Sequence, residues 1–134
     1  MGSKWNDTRP LSPHLQVWRW HPTMLSSILH RATGVALYLA IILLSVFLAV
    51  LAAGPEVFMN YSAIFYSPLG AIGFFIVIGI LSFHMLNGIR HLIWDSGHLL
   101  SPPVANAMSI AIIAAAAVIA VILTFILVSS VGGV

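Results

Sequence analysis

Polar side chains all but vanish from three long runs of this chain, Thr33 to Ala53, Leu69 to Leu86 and Val104 to Val131. Each run is long enough, at helical rise, to cross the hydrocarbon core of a bilayer, where only a helix satisfies its own backbone. With their more polar ends included, the pattern predicts transmembrane helices over about 28–53, 68–94 and 104–131. Gly54 to Pro68 reads as the loop between the first two, and "SGHLLSPPV" turns the chain with two prolines before the third. Ahead of the first span, residues 1–22 mix prolines with Trp18, Arg19 and Trp20, which suits an interfacial segment at headgroup level. Pro22 can open a helix there, because the first helical position needs no donor. The expectation is one all-α membrane domain over 1–134, with no internal boundary.

Composition narrows the function. With 60% hydrophobic and 6% charged residues, and a mean hydropathy of +1.07, the chain cannot carry the polar surface of a soluble domain. Cysteine is absent, so disulfides and thiolate-held clusters are excluded, and any iron-sulfur chemistry belongs to another chain. The first apolar run begins too late and extends too far for a cleavable signal peptide, and is expected to stay as a span. Lys4, Arg9, Arg19 and Arg31 precede or open that span, whereas the Gly54 to Pro68 loop carries Glu56 and no basic residue. Arg90 then closes the second span on the first side again. Positive charge therefore predicts an N-terminus inside and a C-terminus outside.

The chemistry-bearing residues gather at the basic side. In "SSILHRATG", Ser27 and Arg31 are one turn apart, Gly34 is two turns from Ser27, and His30 flanks the same face. A hydroxyl, an imidazole and a guanidinium thus converge where another helix or a ligand can approach. The same residues also fit a plainer role, with Arg31 reaching up to phosphates and Ser27 bonding back to its own helix. In "HMLNGIRHLIWDSGH", His84, Gly88, His91 and Asp95 are spaced by four, three and four and share one face, with Gly88 removing a side chain next to His84. His84 lies well inside the apolar run, and His91 is about 10 Å nearer the basic side along the axis. That layout suits a haem, with its iron at depth and propionates reaching His91, His30 or Arg31. A histidine hydrogen-bonded to a neighbouring helix would look alike, since one buried imidazole does not define a ligand set.

Taken together, "RPLSPHLQVWRW", "SILHRATG" and "HMLNGIRHLIWD" resemble the cytochrome b membrane-anchor subunit of succinate dehydrogenase, respiratory complex II, in the family's order and spacing. The resemblance covers the N-terminal segment and two spans, and the third span, rich in Ala114 to Ala117, adds helix-packing character. It implies that His84 is an axial ligand of haem b, that Ser27 and Arg31 line the ubiquinone site, and that His30, Arg31 and His91 surround the haem propionates. It also implies that the haem is shared with a second membrane subunit, which supplies the other axial histidine. An iron-sulfur subunit and a flavoprotein subunit would dock on the basic side and bring electrons from succinate. The expected surroundings are lipid and these subunits, with no nucleic acid. Succinate oxidation itself is not expected of this chain, which has no nucleotide-binding loop and no cysteine cluster. A quinol:fumarate reductase anchor would share the fold, and a haem-free structural anchor is the alternative from another class, against which His84 and Gly88 together argue. Without an Arg- and Ser-rich presequence, the expected location is a bacterial inner membrane, with a processed mitochondrial inner-membrane chain as the alternative.

His84 is the histidine that the sequence places at depth, His30 and His91 lie toward the span ends, and the third span has none. A second axial ligand is therefore expected from outside the chain. The topology has a direct check. A reporter at Glu56 should react with an impermeant label added from outside, and one at Ser96 should not; the reverse would invert the bundle and its docking side.

Overall fold

A computed structural model of the chain describes residue 15 and residues 17–131, so the expected interfacial segment over 1–22 lies largely outside the described residues. Trp18 and Trp20, which are inside them, meet edge to face at 5.1 Å and are both exposed, as headgroup-level anchors would be. Four helices follow: α1 (Pro22–Ala52), α2 (Pro55–Phe65), α3 (Pro68–Asp95) and α4 (Pro102–Val131). Three of them, α1, α3 and α4, are long and apolar enough to cross a membrane. Pro22 does open α1, with the His21 ring capping it by accepting from the Met24 amide at 3.3 Å.

The helix α2 was not expected, since its residues read as loop. Pro55 at the first helical turn, Glu56 just after it and Gly54 at φ 106° together start it. One face of α2 then closes onto α1: Phe58 and Phe65 lie 6.2 and 5.0 Å from Phe47, both edge to face. At the other end of α3 the chain stops in a Schellman turn. The Gly97 amide donates to the Trp94 carbonyl and the His98 amide to that of Ile93, with Gly97 at φ 83°, a conformation glycine adopts without strain.

Packing among α1, α3 and α4 follows membrane rules, because lipid is as apolar as leucine and gives the helices no hydrophobic reason to associate. Apart from Phe83, what is buried among the described residues is accordingly small or polar. On α4 the buried stripe is Ala105, Ser109, Ala116 and Ala120, and of the Ala114 to Ala117 run only Ala116 faces inward. Gly79 of α3 lets Ala120 come close: a methyl group at Gly79 would stand 3.5 Å from the Ala120 Cβ.

Three polar ties join the helices at one end of the bundle. Ser26 of α1 donates to Asn87 Oδ1 of α3 at 2.7 Å, and both residues are fully buried. The Thr23 hydroxyl and amide both donate to Asn106 Oδ1 of α4, at 2.6 and 3.3 Å, which also satisfies one of the open donors in the first turn of α1. Arg90, 1% exposed, donates to the Ser109 hydroxyl, which itself donates to the Ala105 carbonyl at 2.8 Å. The Arg90 guanidinium also lies 4.4 Å from the centre of the Trp94 ring, in cation-π contact.

If the Ser26–Asn87 bond helps to hold α1, Ser26→Ala and Asn87→Ala will couple. A double-mutant cycle on unfolding in mild detergent should give about 0.6 kcal/mol and no more than about 1.7 kcal/mol of interaction energy. Strict additivity would show the bond to be idle.

Candidate functional site between α1 and α3

The polar face of α1 meets the histidine stripe of α3 just inward of these ties. The His30 ring stacks on the His84 ring, with centroids 4.0 Å apart and planes within 17°. His91 stands 5.2 Å from His30 at a tilt, and Trp94 meets His91 edge to face at 5.4 Å. His91 Nε2 is 3.4 Å from the Asn87 amide nitrogen, so the bond from Ser26 to Asn87 continues into the histidine cluster. The three histidines are half-buried, while Arg31 and Asp95 are exposed.

Ser27 and Arg31 are brought together with His91 in one cleft of about 370 Å³, completed by His21, Thr23, Met24, Ile28 and Trp94. That cleft offers a hydroxyl, a guanidinium and an imidazole around a largely apolar hollow, which is what a flat, weakly polar ligand with carbonyl groups requires. Asp95, although on the expected stripe, is not among its lining residues.

Two expectations about the histidines change. His30 does not stay at the end of its helix, since its ring stacks on that of His84 and also lies 5.2 Å from that of His91, between the two. Parallel stacked rings direct their nitrogen lone pairs side by side and not toward one point between them. The glycine beside His84 is also a different one. A methyl group built at Gly88 meets nothing within 4 Å, but one at Gly34 would stand 3.2 Å from His84 Cε1, so Gly34 of α1 makes the room.

The cluster has polar nitrogens to spare. His30 Nδ1, Trp94 Nε1 and the Nε and Nη2 of Arg90 are buried and have no hydrogen-bond partner among the described residues. Buried donors left open cost about 1–3 kcal/mol each, so an anionic or carbonyl-bearing ligand beside them recovers that loss. No group of three or more His, Cys, Asp or Glu side chains able to hold a bare metal ion occurs among the described residues. His84 offers one nitrogen, Nε2, with no partner among these residues, because Nδ1 faces the Thr33 hydroxyl at 3.2 Å. One free imidazole nitrogen at depth and unpaired donors nearby fit a haem, which brings its own four equatorial ligands and two carboxylates.

Ser26, Asn87, Arg90 and Thr33 were not expected in the site. The signal was present: Ser26, His30 and Thr33 repeat at four and three, continuing a polar stripe on α1 beside the Ser27 and Arg31 pair. Arg90 is a charged group within a span and sits one turn from Trp94.

The chain is similar to known proteins over most of its length. A family model described as "Succinate dehydrogenase/Fumarate reductase transmembrane subunit" matches residues 6–124. The succinate dehydrogenase cytochrome b556 subunit of Paracoccus denitrificans is 39% identical over 117 residues, covering 85% of this chain and 88% of that one. The mitochondrial cytochrome b560 subunit of Mus musculus is 32% identical over 115 residues, covering 81% of this chain and 65% of that one. The cytochrome b556 subunit of Rickettsia felis is 35% identical over 100 residues, covering 73% and 76%.

Proposed function

The chain belongs to the succinate dehydrogenase/fumarate reductase transmembrane-subunit family, and from that premise we propose that it holds haem b through His84 and lines the ubiquinone-reduction site with Ser27 and Arg31. As a cytochrome b subunit of succinate dehydrogenase it is a membrane part of an enzyme, and we assign the succinate chemistry to its partner chains. The observation that carries the site assignment is the single cleft joining Ser27, Arg31 and His91 next to the stacked His30 and His84 rings.

A quinone carbonyl gains negative charge as it is reduced. Ser27 can donate a hydrogen bond to that oxygen, and the Arg31 guanidinium can stabilise the charge, each worth more in the low dielectric of the span than in water. Trp94 and Ile28 supply apolar surface to the cleft. Haem b, when bound, supplies a one-electron store beside this cleft. His84 would hold its iron; His30, Arg31 and His91 would face its propionates.

The second axial histidine would come from a second membrane subunit, since the stacked geometry of His30 does not serve and α4 carries no histidine. An iron-sulfur subunit and a flavoprotein subunit would dock at the end bearing Arg19, His21 and Arg31, the cytoplasmic side of a bacterial inner membrane on the positive-inside rule.

Quinone chemistry separates from electron supply by mutation. Ser27→Ala or Arg31→Ala should slow succinate-driven quinone reduction by an amount equivalent to about 2–4 kcal/mol per lost donor, while succinate oxidation with a soluble dye continues. Arg31→Lys should be partly defective, because a point charge does not reproduce a planar fork. Equal loss in both assays would mean a failure of assembly.

The haem assignment is read by spectroscopy. This subunit expressed alone should lack the sharp reduced spectrum of six-coordinate low-spin haem, and co-expression with its membrane partner should restore it. His84→Ala in the pair should abolish that spectrum or leave it five-coordinate, whereas His91→Ala should mainly shift potential or occupancy. A bis-histidine spectrum in the isolated chain, or one untouched by His84→Ala, would overturn the assignment.

A further inference from the structure

We propose that Thr33 is the residue that sets the tautomer and orientation of His84, holding the proton on Nδ1 so that Nε2 faces a metal with its lone pair free. The inference rests on the reading of His84 as the haem ligand and adds to it a positioning residue on the facing helix.

The single proton of the Thr33 hydroxyl decides the tautomer. The Thr33 hydroxyl has one hydrogen and lies 2.8 Å from the Leu29 carbonyl oxygen, 3.0 Å from the His30 carbonyl oxygen and 3.2 Å from His84 Nδ1. Two oxygens at 2.8 Å with no hydrogen between them repel, so the hydroxyl hydrogen lies toward the carbonyls, as in other threonines that bond back to their own helix. Toward His84 the Thr33 oxygen then presents a lone pair, and it makes a hydrogen bond only if Nδ1 carries the proton. A neutral imidazole protonated at Nδ1 has its lone pair at Nε2, the nitrogen that has no partner among the described residues.

The adjacent residue completes the seat. Gly34 brings its backbone against Cε1, where even a methyl group would stand 3.2 Å away, so Thr33 and Gly34 together grip the Nδ1–Cε1 edge of the ring. The stacked His30 ring limits rotation about the remaining axis. A hydrogen bond accepted from Nδ1–H makes the imidazole a stronger electron donor at Nε2, which favours the ferric over the ferrous state of a bound iron.

The test uses the assembled complex and reads the haem by redox-dependent visible spectroscopy. Thr33→Val keeps the shape and removes the acceptor, and should raise the haem potential; a tenfold loss of preference for ferric iron reads as about 59 mV for one electron. Thr33→Ser keeps the acceptor and should stay near the parent value. Thr33→Ala also lacks the hydroxyl with less bulk, and should match Thr33→Val even where the valine form assembles poorly. A potential unchanged in both the Val and Ala forms, or shifted as far in the Ser form, would overturn the role of Thr33. A spectrum that persists after His84→Ala would instead overturn the ligand reading beneath it.

Discussion

A helix in hydrocarbon gains nothing by hiding a leucine, and this bundle is organised by that constraint. Large apolar side chains such as Leu43, Leu69, Ile72 and Phe125 point outward, while the largest fully buried side chains among the described residues are Arg90, Asn87, Ser26 and Ser109. Association therefore depends on hydrogen bonds and close backbone approach. Because the polar ties lie at one end, they and the imidazole cluster share the same residues: Asn87 bonds to Ser26 on one side and His91 on the other. Structure and chemistry are not separable there. A side chain that fastens α1 to α3 also fixes the histidine that faces the cleft.

The spans, the proline that opens α1 and the faces that carry Ser27, His84 and His91 were legible in the sequence, because hydropathy and helical spacing are local properties. The helix α2 is also written locally, in Gly54, Pro55 and Glu56, but its eleven residues are too few to show as a span and by hydropathy read as loop. Relations between helices were not legible. The glycine that seats His84 is Gly34 on the facing helix, not Gly88 on its own, and spacing along α3 cannot reveal what α1 presents to it. The same holds for His30, whose depth depends on where Pro22 places the start of α1 and on the register of α1 against α3. Of the alanine run in α4, three residues face outward, since composition does not give the angle at which a helix is docked.

The cluster divides by depth into two environments. Near the end of the bundle, Ser27, Arg31 and His91 surround an open cleft, where a ligand could enter from the bilayer interface. Farther in, His84 is gripped by Thr33, Gly34 and His30, with little freedom to reorient. An exchangeable ligand and a resident group would call for these opposite qualities, and the two environments meet at His91 and His30, whose ring centroids are 5.2 Å apart.

The tie between Thr23 and Asn106 spans 83 residues of sequence. A ribosome adding roughly 5–20 residues per second takes roughly 4 to 17 s to make that length of chain. The start of α1 thus enters the membrane long before its anchor on α4 has been translated. Through that interval the amide and hydroxyl of Thr23 must find water or headgroups, which is feasible only near the bilayer surface. Biogenesis consequently favours placing this tie in the first turn of α1, where waiting in an unpaired state costs little, and the finished bundle keeps its fastening at that edge.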